Sequence, residues 1–129
     1  MNVSARTEVS RTNLLIAGFV ITGAAAQPVL IRGIGPTLLQ FGIRTAIADT
    51  QLTLFRNGVV IASNDNWYES PNAVAIATSG AQVGAFNLAP TSRDAALLLS
   101  LPPGNYTAQV GGANGPVDGT ALVEVYAVP

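Results

Sequence analysis

Cysteine and histidine are both absent from this chain. That double absence removes disulfide staples, Cys/His zinc sites, thiol nucleophiles and imidazole general bases together. Charge is scarce as well: 10% of the residues carry it, against about 25% in an ordinary soluble domain. Lysine is missing too, and the six arginines (Arg6, Arg11, Arg32, Arg44, Arg56 and Arg93) are scattered through a chain of net charge -1. Nucleic acid demands a basic stripe, so it is excluded as a partner. Long apolar runs are lacking, because Gly18, Thr22, Gly23 and Arg32 interrupt the richest region well short of the roughly 20 residues of a membrane span. No membrane insertion is expected. The opening MNVSARTEV has neither the basic region nor the long apolar one of a signal peptide. It starts inside what reads as a strand, so Met1 is expected to be an introduced start within a longer parent protein.

What is present is apolar: hydrophobic residues make up 49% of 129. One domain spanning residues 1–129 is expected, large enough to bury about two thirds of the surface its unfolded chain exposes. Val3, Ala5, Thr7 and Val9 alternate with Ser4, Arg6 and Glu8, as in a half-buried strand. LLIAGFVI (14–21) and VLIR (29–32) are almost continuously apolar, which predicts strands buried on both faces. GIGPTLLQFG (33–42) must break regular structure at Gly33, Gly35 and Pro36, with room for one helical turn over 37–41. LTLFR and VVIAS flank Asn57-Gly58, the strongest short-range hairpin signal, since both residues tolerate the positive φ of a type I′ turn. Residues 67–93 are Ala-rich and hold either a short helix or a loop. AALLLSL, YTAQV and TALVEVYAV supply further strands, with a type II turn expected at Pro103-Gly104 and a Gly-rich loop GGANGPVDG before the last.

About eight short strands with little helix predict an all-β fold, an antiparallel β-sandwich that is jelly-roll-like or Greek-key. Leu15, Phe19, Ile21, Leu30, Leu54, Ile61, Leu98, Val110, Leu122 and Val125 are expected to share its core. The first strand, 3–9, and the last, 120–128, are the candidate sheet edges.

The ordered set LIRGIGPTL, VIASNDNW, DAALLLSLPPGNYTAQV and ALVEVY resembles a recurrent bacterial module that occurs as tandem or C-terminal repeats in large secreted and surface proteins. The resemblance covers nearly the whole chain. The second half, with its NG hairpin, SNDNW, LPPGNYT and closing strand, is also similar to pre-peptidase C-terminal domains, jelly-roll sandwiches appended to secreted hydrolases. These resemblances imply an extracellular or cell-surface, non-catalytic accessory domain, whose relatives serve in attachment, stabilisation or polymer binding and in some cases bind calcium. They carry over no catalytic residue.

Hard oxygen ligands concentrate in Asn64, Asp65 and Asn66. Calcium takes six to eight oxygens, so Asp49, Glu69 or Asp94 would have to converge on them; the alternative is a turn whose Asn and Asp side chains cap backbone amides. Trp67 and Tyr68 offer an aromatic platform for a polysaccharide, yet a lone Trp at a strand end equally serves to seal the core. The glycines of 33–42 lack the Gly-Lys-Ser/Thr ending of a phosphate loop, and Arg32 is expected to pair with Glu124. No serine has a His or Lys to activate it, and nothing in the spacing of Asp49, Asp65, Glu69 and Asp94 favours a catalytic carboxylate pair. The reading is therefore a non-enzymatic structural or adhesive module that packs against copies of itself or adjacent domains, encouraged by its neutral surface. The alternative is a calcium- or polysaccharide-binding accessory module. No obligate cofactor is expected.

Overall fold

The computed structural model describes residues 2–114 and 118–129. Met1 and part of the GGANGPVDG loop lie outside them. Eight strands run β1 (Asn2–Val9), β2 (Leu15–Ile21), β3 (Gln27–Ile34), β4 (Thr50–Arg56), β5 (Val59–Asn64), β6 (Ala95–Leu101), β7 (Gly104–Gly112) and β8 (Gly119–Ala127). One helix, α1 (Ala73–Gln82), and 3-10 turns at Pro36–Phe41 and Trp67–Glu69 complete the regular structure. None of these is long and apolar enough to cross a membrane among the described residues.

The strands form two four-stranded sheets, ordered β1-β8-β3-β6 and β2-β7-β4-β5, antiparallel throughout. In these orders β1 pairs with β8, β2 with β7, β3 with β6 and β4 with β5, so the chain is one long hairpin rolled up on itself, a jelly roll. Its tip is Asn57-Gly58, both with positive φ (52° and 77°), the geometry of a type I′ turn. At the first corner, Gly35 is required by close approach, because a Cβ there would stand 2.5 Å from the Ile47 carbonyl oxygen.

The main core fills the space between the sheets. Leu15, Phe19, Ile21, Leu54, Val110 and Val125 lie in it as expected, joined by Val29, Ile31, Leu52 and Val123. Phe19 and Tyr106 stack at 5.5 Å, and the Tyr106 hydroxyl donates to the Pro102 carbonyl at 2.6 Å. Leu30 and Leu98 belong instead to a second cluster on the opposite side of the first sheet, where Ile76 of α1 covers them with help from Trp67 and Leu88. This covering layer is why β3 is buried on both faces.

Other expectations fail for identifiable reasons. β2 is buried on one face only, with Ile16 59% and Val20 55% exposed, because among the described residues no helix covers the second sheet. Ile61 is exposed rather than in the core, since a register shift at Leu54/Phe55 perturbs β5 at the sheet edge. Leu122 is only partly buried. β1 is an edge, as expected, but is exposed along most of its length; β8 is interior, between β1 and β3. Gly104 begins β7 without the positive φ a type II turn needs, so that turn does not form.

Candidate functional site

The run SNDNW leaves β5 and enters the 3-10 turn at Trp67–Glu69. Asn64 works as a brace: its Oδ1 accepts from the Ala96 amide at 3.0 Å, and its Nδ2 donates to Ser70 Oγ at 3.0 Å. Trp67 anchors the turn from both ends. Its amide donates to the Asp94 carbonyl at 2.9 Å and its indole N–H to Ser92 Oγ at 3.1 Å, while the ring packs under α1. Tyr68, 39% exposed, is open to solvent.

Asp94 is fully buried and its carboxylate is saturated with donors. It accepts from the amides of Gly35 (2.8 Å) and Thr37 (3.2 Å) and from the hydroxyls of Thr37 and Ser92. A carboxylate so surrounded fixes the Gly35-Pro36 corner and leaves no lone pair directed at the 64–66 loop. Asn64 and Asp94 thus spend their side-chain oxygens on backbone and hydroxyl donors, although Asn64 still lines one shallow surface depression with Asp65, Asn66 and Glu69.

It brings Asp49 and Asp65 together. Asp65 lies close enough to Asp49 to share a proton, with Glu69 also near. Burial, then the Asp49 carboxylate and then Glu69 push the Asp65 pKa up to about 6, against a weaker opposing pull from Arg93. Arg93 approaches Asp49 Oδ2 only to 3.9 Å, and Asn114 Nδ2 donates to the same oxygen at 3.3 Å. Among the described residues, four buried side-chain polar atoms lack a hydrogen-bond partner, and three are Asp49 Oδ1, Asp65 Oδ1 and Asn66 Oδ1. Buried acceptors are normally satisfied, and the nearness of Asp49 to Asp65 lets one shared proton serve both carboxylates. Among the described residues no group of three or more His, Cys, Asp or Glu is placed to hold a metal ion. A cation would take these two carboxylates, the Asn66 amide oxygen and solvent.

A second feature escaped the sequence reading. The outward side of the β2-β7-β4-β5 sheet carries the cross-strand rows Ile16-Gln109-Thr53-Ser63 and Gly18-Thr107-Phe55-Val60. Arg56 is the only charged residue in its four strands, and it is turned to the Pro103 carbonyl (3.0 Å) and the Tyr106 ring. Val59 (64%), Val60 and Ile61 are exposed at one edge, Ile16 and Val20 at the other. The signal was masked because β2's outward residues, Ile16, Gly18 and Val20, are as apolar as its inward ones.

No family model matches the chain, and no curated protein matches it. Among solved structures, it is similar to the pre-peptidase C-terminal domain of a collagenase from Bacillus anthracis, with a TM-score of 0.56 at 13% identity over 98% of this chain and 90% of that one. A native family 35 carbohydrate binding module from Clostridium thermocellum aligns over 96% of this chain and 99% of its own, at a TM-score of 0.35 and 13% identity. The fold is thus that of a β-sandwich module, loosely similar to the pre-peptidase C-terminal domain.

Proposed function

We propose that this chain is a non-catalytic, extracellular structural module that packs against copies of itself through the outer face of the β2-β7-β4-β5 sheet. The observation that carries the reading is an asymmetry: α1 covers the outside of one sheet, while the other is left bare by the described residues, almost uncharged and bordered by Ile16, Val20, Val59, Val60 and Ile61. Flat uncharged sheet faces resist contact poorly. The likeness to a domain carried by a collagenase supports an accessory rather than a catalytic role. Light scattering across protein concentration tests the proposal. Association that appears as concentration approaches the millimolar range, and disappears in Ile16→Lys/Val20→Lys, is expected; a strict monomer at millimolar protein overturns it.

A second reading is favoured by the three unpartnered oxygens: a calcium ion at Asp49, Asp65 and Asn66. Calorimetry with calcium should then show heat in the wild type and none in Asp65→Asn. The polysaccharide variant of this reading gains less support, since the Trp67 indole N–H is committed to Ser92 and only Tyr68 presents a ring to solvent.

A further inference from the structure

The layer over the first sheet is not closed. A cleft of about 280 Å³ opens between α1, the 86–90 segment and the sheet, on the far side of the sandwich from the bare β2-β7-β4-β5 face. Trp67, Ile76, Phe86, Leu88 and Pro90 supply its apolar lining. Arg32 is the only charged residue that lines it, and that charge is already matched: Arg32 is 2% exposed, and its Nε donates to Glu124 Oε1 at 2.7 Å.

The walls are pinned, so the gap between them cannot close cheaply. The Phe86 carbonyl accepts from Arg32 Nη1 at 2.6 Å and its ring stacks on the guanidinium at 4.6 Å, the Ala89 amide donates to Thr37 Oγ1 at 3.0 Å, and the Trp67 indole N–H donates to Ser92 Oγ at 3.1 Å. Collapse would break these bonds. Gly80 then keeps the floor open. It follows Ile76 by one turn on the same face of α1, in ordinary helical backbone that any residue adopts. A Cβ there would meet only Arg32 Nη1 at 3.8 Å and Leu30 Cδ2 at 4.0 Å, which are ordinary contacts. Neither backbone geometry nor close packing requires glycine here, although alanine would make the helix more stable. What Gly80 does is withhold a side chain from the cleft. Apolar walls that face an unfilled space forgo the dispersion contacts of a close-packed interior, and an apolar occupant restores them while leaving water.

We propose that this cleft binds a small uncharged apolar compound, a single ring with a short alkyl substituent, seated over Gly80 against Trp67, Ile76 and Phe86. The cleft lies at the small end of the roughly 300–1,000 Å³ that ligand sites occupy, which leaves no room for a larger body. A charged ring is disfavoured, because the apolar walls cannot replace its hydration and Arg32 already has its counter-ion. Because Trp67 is the chain's one tryptophan, its emission reports occupancy directly.

The test is a titration of the whole chain with toluene, benzoate and benzylammonium, followed by Trp67 emission, excited where none of the three absorbs, and by the amide resonances of residues 76–88. Toluene is expected to give saturable changes in both signals, with each charged analogue at least tenfold weaker. Gly80→Leu fills the cleft from its floor, so it should hold or raise the melting temperature and abolish the toluene response. If that variant does not fold, Gly80→Ala decides: the structure accommodates its Cβ, so it should be at least as stable as the wild type and bind toluene at least threefold more weakly. The proposal is overturned by an absence of saturable change with toluene in either signal, by a charged analogue that binds as tightly, or by a folded Gly80 variant that binds toluene unchanged.

Discussion

Arg32 and Glu124 are 2% and 6% exposed, cross-strand partners on β3 and β8, beneath α1. Arg32→Met should therefore cost about 3–5 kcal/mol in urea unfolding, because it leaves a carboxylate buried without its counter-charge. Arg32→Met/Glu124→Leu should recover most of that loss; a double variant as unstable as the single would show that packing, not charge, carries the pair. Asp65 responds to pH in the opposite sense from a salt-bridged acid. Its folded pKa of about 6 exceeds the unfolded value near 3.9, so its contribution to stability is fully present below pH ~4 and is lost as pH rises through 6. Asp65→Asn should accordingly raise the melting temperature at pH 7 in chelator and flatten the profile between pH 4 and 6. The Arg32–Glu124 pairing could be expected from the sequence, since a long-range partner for an isolated arginine in an apolar strand is chemically required. The meeting of Asp49 with Asp65 could be named only as one option among several, because loop contacts across 16 positions follow from topology, which residue types do not encode.

Among the elements, the β4–β5 hairpin was the most legible, because Asn57-Gly58 carries its own backbone chemistry. A Cβ at Gly58 would meet nothing within 4 Å, so Gly58→Ala probes backbone strain alone and should cost about 1–2 kcal/mol, read as a shift in the urea midpoint at unchanged slope. At Gly35 a Cβ strikes the Ile47 backbone, and Gly35→Ala should cost more than Gly58→Ala despite a negative φ. A reversed ranking would mean that the corner yields more easily than the turn. Strand positions followed from alternation and turn residues, whereas strand order did not. β3 and β2 read alike as apolar runs, yet α1 covers the outside of β3's sheet and none of the described residues covers that of β2. Residue hydrophobicity reports a preference for burial, not what supplies it. Ile61 was misplaced for a related reason: a one-residue irregularity at Leu54/Phe55 shifts an edge strand's register, and period-two reasoning has no means of seeing it.

For the whole molecule, size decides how the bare face can be used. Four strands spaced roughly 4.8 Å apart and some seven residues long present a footprint of roughly 20 by 23 Å. That is about half of the ~800 Å² per partner typical of a stable interface. Two free copies should therefore associate weakly, whereas copies joined in one chain see each other at an effective concentration in the millimolar range and can pack without any additional contact. Because the face has almost no charge, the association should be insensitive to sodium chloride between 50 mM and 500 mM, where an ion-paired interface would weaken. Sodium sulfate should strengthen it by favouring apolar burial. A linked dimer of the module, followed by small-angle scattering, gives the decisive contrast: a compact pair that opens to an extended one in Ile16→Lys/Val20→Lys, with the melting temperature of each module unchanged because both side chains already face water. An extended wild-type pair, or a compact one that loosens with added sodium chloride, would place the contact on some other, charged surface of the sandwich.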